Sequence, residues 1–254
     1  MMQSHNMHRI NRLFSKIPEN IDTVLIRNTG EPLVDENFFY LTGLTQGLFE
    51  GSYIIINQDT KQTLITSTLE AESAKNATAD LLIYQNGEEL HTHLKNTLSA
   101  SDTIGINFQR ISYHDYQKLC KTYPQKTFVD ISNQLAQTRM IKDPDELALI
   151  KQAMQITDTV QTNIPDLYQE GFTESDLAAE INYHLQKNGA DQPAFTTIAS
   201  AGAHSAEPHY THGNTQIRTQ DFVVCDFGAT HKKYNADLTR TFIKGSPTST
   251  QTKI

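Results

Sequence analysis

The sequence has no tryptophan and only two cysteines, Cys120 and Cys225. A disulfide framework is therefore not expected, and a reducing, cytoplasmic setting is the simplest inference. Long apolar runs are also missing. No window approaches the roughly 18 apolar residues of a membrane span, and the mean hydropathy is −0.49. Basic residues are in short supply: 21 Lys and Arg stand against 29 Asp and Glu, for a net charge of −8. That balance argues against a nucleic-acid backbone as partner. The opening stretch, Met1 to Arg12, is polar with two histidines and is not expected to be a signal peptide. The Asn76-Ala-Thr78 sequon reads as an ordinary surface turn.

What is present is a chain of 254 residues, enough for one large domain or two modest ones. Strand-like runs at Ile21–Ile26, Gly51–Asn57, Gln62–Thr66, Leu81–Tyr84, Thr103–Asn107 and Lys126–Val129 alternate with helical patterns. The helices are expected at Leu69–Asn76, Gly87–Leu98 and Ser112–Thr122. Such alternation predicts an α/β layer domain over residues 1–137. His91, His93 and His114 fall in helical patterns without metal-ligand companions. Phe38, Phe39 and Tyr40 form an aromatic cluster closed by Gly43 and are read as core packing.

A boundary comes near Thr138. Asp143 is a good N-cap, Pro144 suits the first helical position, and Glu146 can close a capping box. The helix that begins there is expected to end near Ile164, ahead of Pro165. Thr173 caps a second helix that ends at Asn188-Gly189. A strand is predicted over Ala194–Ser200, then a small-residue loop over Ala201–Ala206 and Glu207-Pro-His209-Tyr.

The most informative stretch comes last. Phe222–Phe227 and Tyr234–Lys244 read as two strands, with Gly228–Lys233 as an exposed polar loop between them. Alternation puts Phe222, Val224 and Asp226 on one face of the first strand. Asn235, Asp237, Thr239 and Thr241 share a face of the second. If the strands pair antiparallel, Asp226 and Asp237 lie close and point the same way. Two such carboxylates repel unless a proton or a divalent cation lies between them. Spacing alone leaves a blander reading open, in which one Asp caps a turn and the other faces water.

The wording goes further than the spacing. Asp226-Phe-Gly-Ala followed by Asp237-Leu-Thr-Arg-Thr resembles the first metal-binding hairpin of the pita-bread metallopeptidases. That family includes Xaa-Pro aminopeptidases, Xaa-Pro dipeptidases and methionine aminopeptidases. Asn37-Phe-Phe-Tyr-Leu-Thr-Gly43 resembles an element of the non-catalytic creatinase/aminopeptidase P N-terminal domain, which methionine aminopeptidases lack. Arg139-Met-Ile-Lys-Asp-Pro-Asp-Glu-Leu147 resembles the interdomain junction, and the segment ending Ala206-Glu-Pro-His209-Tyr resembles a substrate-side loop. The resemblance implies an α/β creatinase-type N-terminal domain and, over residues 138–254, the first half of an α+β pita-bread catalytic domain. It implies that Asp226 and Asp237 are two of five ligands to a pair of divalent ions (Mn, Co, Zn or Fe). His209 matches a histidine that hydrogen-bonds the substrate.

Two positions depart from the pattern: His204 stands where Asn is usual, and Lys233 where Gly is common. Neither is a ligand. His204, His212 and His231 are read as loop histidines rather than a metal cluster. The family's remaining ligands, one His and two Glu, have no match. The chain is therefore expected to be an incomplete portion of such an enzyme, with weak metal binding of its own. The implied activity is metal-dependent cleavage of the Xaa-Pro bond at peptide N-termini, by a homodimer in the full-length form. The alternative is a non-enzymatic peptide- or protein-binding module of the same fold.

Overall fold

Two stretches of sequence condense separately, giving compact units Met1–Lys142 and Asp143–Ile254. The computed structural model describes residues 2–169 and 171–253, and side chains from Asn6 onward.

The first unit begins with helix α1 (Met2–Phe14) and strand β1 (Thr23–Asn28), then α2 (Glu36–Thr42). Strands β2 (Ser52–Asn57) and β3 (Gln62–Ser67) form a hairpin, followed by the short α3 (Ala71–Ala74) and β4 (Asp80–Tyr84). Helix α4 (Gly87–Thr97), β5 (Thr103–Ile106), α5 (Tyr113–Thr122), β6 (Thr127–Asp130) and α6 (Ser132–Met140) complete it. The six strands form one mixed sheet in the order β4-β3-β2-β1-β5-β6. Strand β1 is the hinge of that order, antiparallel to β2 and parallel to β5. It is apolar and β-branched because both of its faces are covered. Val24 and Ile26 pack with Leu13, Phe38 and Leu135 of α1, α2 and α6, while Leu25 packs with Leu98 and Leu119 on the other side. The result is the three-layer α/β arrangement that the alternating pattern predicted.

Three helices of this unit were not evident from the sequence: α1, α2 and α6. The aromatic cluster does serve as core, with Phe38 wholly buried and its ring 5.6 Å from that of Phe49. It is also a helix, capped by Asp35, whose side chain accepts from the Asn37 amide. Asn107 Nδ2 donates to the same carboxylate at 2.9 Å. Burial pushes the Asp35 carboxyl above its ordinary value, against those hydrogen bonds.

The second unit opens with α7 (Pro144–Leu167), which carries the expected capping box between Asp143 and Glu146. Contrary to expectation, α7 does not stop before Pro165 but runs to Leu167. Proline's fixed φ fits a helix, and so near the end only one backbone hydrogen bond is forfeited. Helix α8 (Glu174–Lys187) has its own capping box between Thr173 and Asp176. Of the strand predicted over Ala194–Ser200 only the last three residues form one, in β8 (Ile198–Ala201), and a short β7 (Gln192–Pro193) precedes the predicted range. A 3₁₀ turn, Gly202–Ala206, comes next.

Strand β9 (Phe222–Phe227) forms as predicted, but the chain beyond it is divided differently. The segment read as a loop contains β10 (Ala229–His231), and the single long second strand is β11 (Tyr234–Asn235) and β12 (Leu238–Ile243). The turn proper is Lys232-Lys233, both left-handed at φ 49° and 71°. Two left-handed residues are what a tight two-residue hairpin needs. The ribbon bends between its two halves, so the strands divide between two three-stranded sheets, β12-β9-β8 and β11-β10-β7.

Helices α7 and α8 cover one face of this ribbon. Val160, Leu177 and Ile181 pack with Val223, Cys225 and Phe227. Burial pushes the Cys225 thiol up to about 12. The buried Thr157 of α7 accepts from the Ala229 amide at 3.0 Å, at the bend. Tyr234 Oη donates to Glu146 Oε1 at 3.1 Å. The long helix thus grips the ribbon at two points. Thr157→Val keeps the volume but deprives a buried amide of its acceptor, and should cost about 1–3 kcal/mol. Urea unfolding of the variant beside the parent chain measures that loss.

Candidate metal-binding hairpin

The ribbon's uncovered face carries the acids. With Val223, Cys225 and Phe227 committed to the helices, alternation turns Val224 and Asp226 outward. The register of β9 with β12 pairs Leu238 with Phe227 and Thr239 with Asp226. Asp237 is therefore not directly opposite Asp226 but diagonal to it, one pleat along and on the same face. Diagonal neighbours in an antiparallel pair lie within side-chain reach. The two carboxyl groups are near enough for the charge of one to act on the other. Thr239 Oγ1 donates to Asp226 Oδ1 at 2.7 Å, fixing that carboxylate from the strand side.

The electrostatics arise from that nearness. The Asp237 carboxyl is held above its ordinary value, first by burial and then by the neighbouring charge of Asp226. A shared proton is one remedy for two acids so near. A hard or borderline divalent cation is the other, and oxygen-only donors on a rigid strand pair suit it. Asp226 and Asp237 supply oxygen donors of the kind such a cation takes, and among the described residues no third His, Cys, Asp or Glu joins them to make a metal-holding group.

Gly228 makes the diagonal possible. A Cβ on this residue would lie 1.8 Å from the Ala236 carbonyl oxygen and 3.2 Å from the Asp237 amide nitrogen. Only a hydrogen leaves room for the chain to cross there. The glycine of the Asp-Phe-Gly-Ala motif thus sets how close Asp237 comes to Asp226.

His209 is exposed, just after the 3₁₀ turn. The chain then doubles back against β8: the Ala199 amide donates to Thr211 O at 2.7 Å, and His212 Nδ1 lies 3.0 Å from Thr197 O. Strand β8 in turn pairs Ile198 with Asp226. The backbone at Thr211 is thus about two strand spacings, roughly 10 Å, from that of Asp226. No hydrogen bond among the described residues ties His209 itself to the acidic pair. The other histidines have partners of their own. His204 Nδ1 is 3.0 Å from Glu174 Oε1, and His231 Nδ1 is 3.1 Å from Gly189 O. In the first unit, His91 stacks on Tyr123 and His93 Nε2 lies 3.2 Å from Ile83 O. Glu174, Thr157 and Gly228 all shape the site, yet Glu174 and Thr157 carry no distinguishing mark in the sequence. A first-turn Glu and a mid-helix Thr look ordinary until burial is known.

Residues 148–254 match the model of metallopeptidase family M24, and residues 9–141 match that of the creatinase/prolidase N-terminal domain. The Xaa-Pro dipeptidase of Pyrococcus furiosus is 33% identical over 97% of this chain and 67% of its own length. The Xaa-Pro dipeptidase of Pyrococcus horikoshii is 31% identical over 92% of this chain and 63% of its own length. Among solved structures, an X-Pro aminopeptidase from Thermotoga maritima superposes with a TM-score of 0.86 at 29% identity, over 95% of this chain and 67% of that one. A prolidase from P. horikoshii gives 0.83 at 30%, over 97% and 68%. The chain thus spans about two thirds of the length of these relatives. Among the described residues no helix is long and apolar enough to cross a membrane. The fold class is the expected one, a creatinase-type α/β domain followed by part of a pita-bread catalytic domain. With both halves of the chain matched in order, the protein belongs to metallopeptidase family M24, in the branch that carries the creatinase/prolidase N-terminal domain.

Proposed function

We propose that the protein is a metal-dependent peptidase acting on the Xaa-Pro bond at peptide N-termini, as an aminopeptidase or dipeptidase. In this reading Asp226 and Asp237 are metal ligands and His209 contacts the substrate. The observation that carries it is the placement of both carboxyl groups on the uncovered face of the ribbon, along one diagonal of the β9–β12 pair. The names of the relatives support the substrate class. Divalent ions bound there, Mn²⁺, Co²⁺, Zn²⁺ or Fe²⁺, would supply Lewis acidity toward the scissile carbonyl and the attacking water. The chain's own residues do the positioning. Thr239 orients Asp226, Gly228 sets the spacing to Asp237, and Thr157 holds the bend from below. His209 offers an imidazole to the peptide from the neighbouring loop. The full-length protein in this reading is a cytoplasmic homodimer. Two free cysteines, one of them buried, suit a reducing compartment.

A second reading, a peptide- or protein-binding module without turnover, has one observation in its favour. Among the described residues no group of three or more His, Cys, Asp or Glu gathers that could hold a metal. Measurement separates the two readings.

Cleavage is checked by incubating the full-length form with an Xaa-Pro peptide and Mn²⁺ and monitoring release of the first residue. Asp237→Asn should lower kcat/KM by about a hundredfold or more, since it removes a ligand's charge. Turnover that survives this change defeats the site assignment, and binding without turnover favours the module. Metal binding has its own readout. At ten times its Kd, Mn²⁺ should stabilise the parent chain by about 1.4 kcal/mol, a few degrees in Tm, and leave Asp237→Asn unmoved. Gly228→Ala should weaken Mn²⁺ binding by about tenfold or more in calorimetric titration, because the crossing must open before both carboxyls can reach one ion.

A further inference from the structure

One carboxylate in the second unit is buried without taking part in the acidic pair. Glu174 is the first residue of α8 and is wholly shielded from solvent. It is not needed to cap the helix. Thr173 Oγ1 accepts from the Asp176 amide at 3.2 Å, and Asp176 Oδ2 accepts from the Thr173 amide at 2.9 Å. The Glu174 side chain is directed elsewhere.

Its oxygens collect the two ends of the loop that carries His209. Oε1 accepts from the Ala201 amide at 2.8 Å, where β8 ends. Oε2 accepts from the Gly213 amide at 3.1 Å, where the loop returns. Two side chains from within the loop reach the same group. His204 Nδ1 is 3.0 Å from Oε1, and the charge of the carboxylate acts on the Tyr210 hydroxyl. The His204 and Tyr210 rings stack, with centroids 4.0 Å apart and planes at 24°. A Cβ at position 213 would fall 2.4 Å from the Tyr210 hydroxyl, so the loop closes tightly there. Main-chain bonds finish the anchorage: Ser175 donates from both its amide and its hydroxyl to Gly213 O, each at 2.9 Å.

We propose that Glu174 is a positioning residue for the proposed peptidase reaction: by drawing together both ends of the 201–213 loop, with His204 and Tyr210 as its inner contacts, it sets where His209 stands beside the acidic strand pair. This rests on the reading of His209 as the substrate-side group. The chemistry favours a carboxylate over any neutral group. It presents acceptors on both oxygens, whereas a glutamine presents one acceptor and one NH₂. In Glu174→Gln the NH₂ must face at least one of the Ala201 and Gly213 amides, donor against donor. His204 acts here as an N–H donor, and asparagine, the residue usual at that position in the resembled motif, supplies one as well. His204→Asn is therefore the conservative substitution, and His204→Ala the disruptive one.

The test uses the full chain and hydrogen exchange read peptide by peptide. Glu174→Gln should speed exchange across residues 201–213 by about tenfold or more, with β9, β12 and α7 at parent rates. His204→Ala should speed it over 202–206, and His204→Asn should restore parent rates. In turnover of an Xaa-Pro peptide, Glu174→Gln should raise KM by about tenfold with kcat changed far less and Mn²⁺ affinity unchanged. The His209 ring signal in a ¹H–¹³C NMR spectrum should shift in Glu174→Gln and stay in place in His204→Asn. Unchanged exchange at 201–213, or a rise spread evenly over the whole second unit, overturns the proposal. If Glu174→Gln does not fold, the His204→Ala and His204→Asn pair decides by the same exchange and NMR readings. A full-length form that cleaves nothing counts against the peptidase reading alone, because exchange and the His209 signal still judge Glu174.

Discussion

A backbone crossing with no room for a methyl group governs the second unit. Where the ribbon bends, Gly228 lies against the Ala236 carbonyl, and everything chemical is laid out from that point. The crossing shifts the second strand so that Thr239, rather than Asp237, stands opposite Asp226. Asp237 is left just outside the ladder, on the diagonal, where its carboxyl comes near that of Asp226. Helix α7 then holds the crossing in place through Thr157 on one side and Glu146 on the other. A directly opposed pair would have faced each other across the ladder with no third partner. The diagonal admits a hydroxyl donor, Thr239, into the space between.

Glu174 and Asp237 show how far environment divides identical chemistry. Both are carboxylates of the same unit. Glu174 is wholly buried and ringed by donors from two backbone amides and an imidazole, so its lone pairs are committed. Such a group fastens chain to chain and has little left for a ligand. Asp237 lies near the surface and its chief neighbour is another acid. That group has unmet demand for positive charge, which is what a cation site requires. Counting acidic residues along the sequence could not separate the two roles. Counting donors around each one does.

Much of this was legible in the sequence, and for definite reasons. The capping boxes at Asp143–Glu146 and Thr173–Asp176 are local hydrogen-bond patterns, so the residues spell them out. The outward face of β9 comes from period-two alternation, and the diagonal acids come from it in turn. Helix α2 was hidden because an Asn-Phe-Phe-Tyr run buried on all sides shows no helical period. Polar α6 gave no apolar stripe, whereas α1 carries one through Ile10 and Leu13 but lies in an opening stretch that is polar on average. The break of the second strand at Ala236–Asp237 is a tertiary event, fixed by contact with Gly228. The Lys232-Lys233 turn was hidden for another reason: lysine is not a residue that ordinarily announces left-handed backbone. The role of Glu174 depends on a loop some thirty residues further on, and no local pattern encodes it.

The acidic pair is made by one hairpin, between strands joined by a turn of two residues. Its assembly therefore does not wait for distant parts of the chain. Short-range hairpins close on the microsecond scale, early in any folding sequence. From the moment the ribbon zips, repulsion between Asp226 and Asp237 works against it. If the proposed metal site is right, a divalent cation that relieves that repulsion would act as a chaperone for the ribbon, and metal supply would then bear on how readily the nascent polypeptide matures.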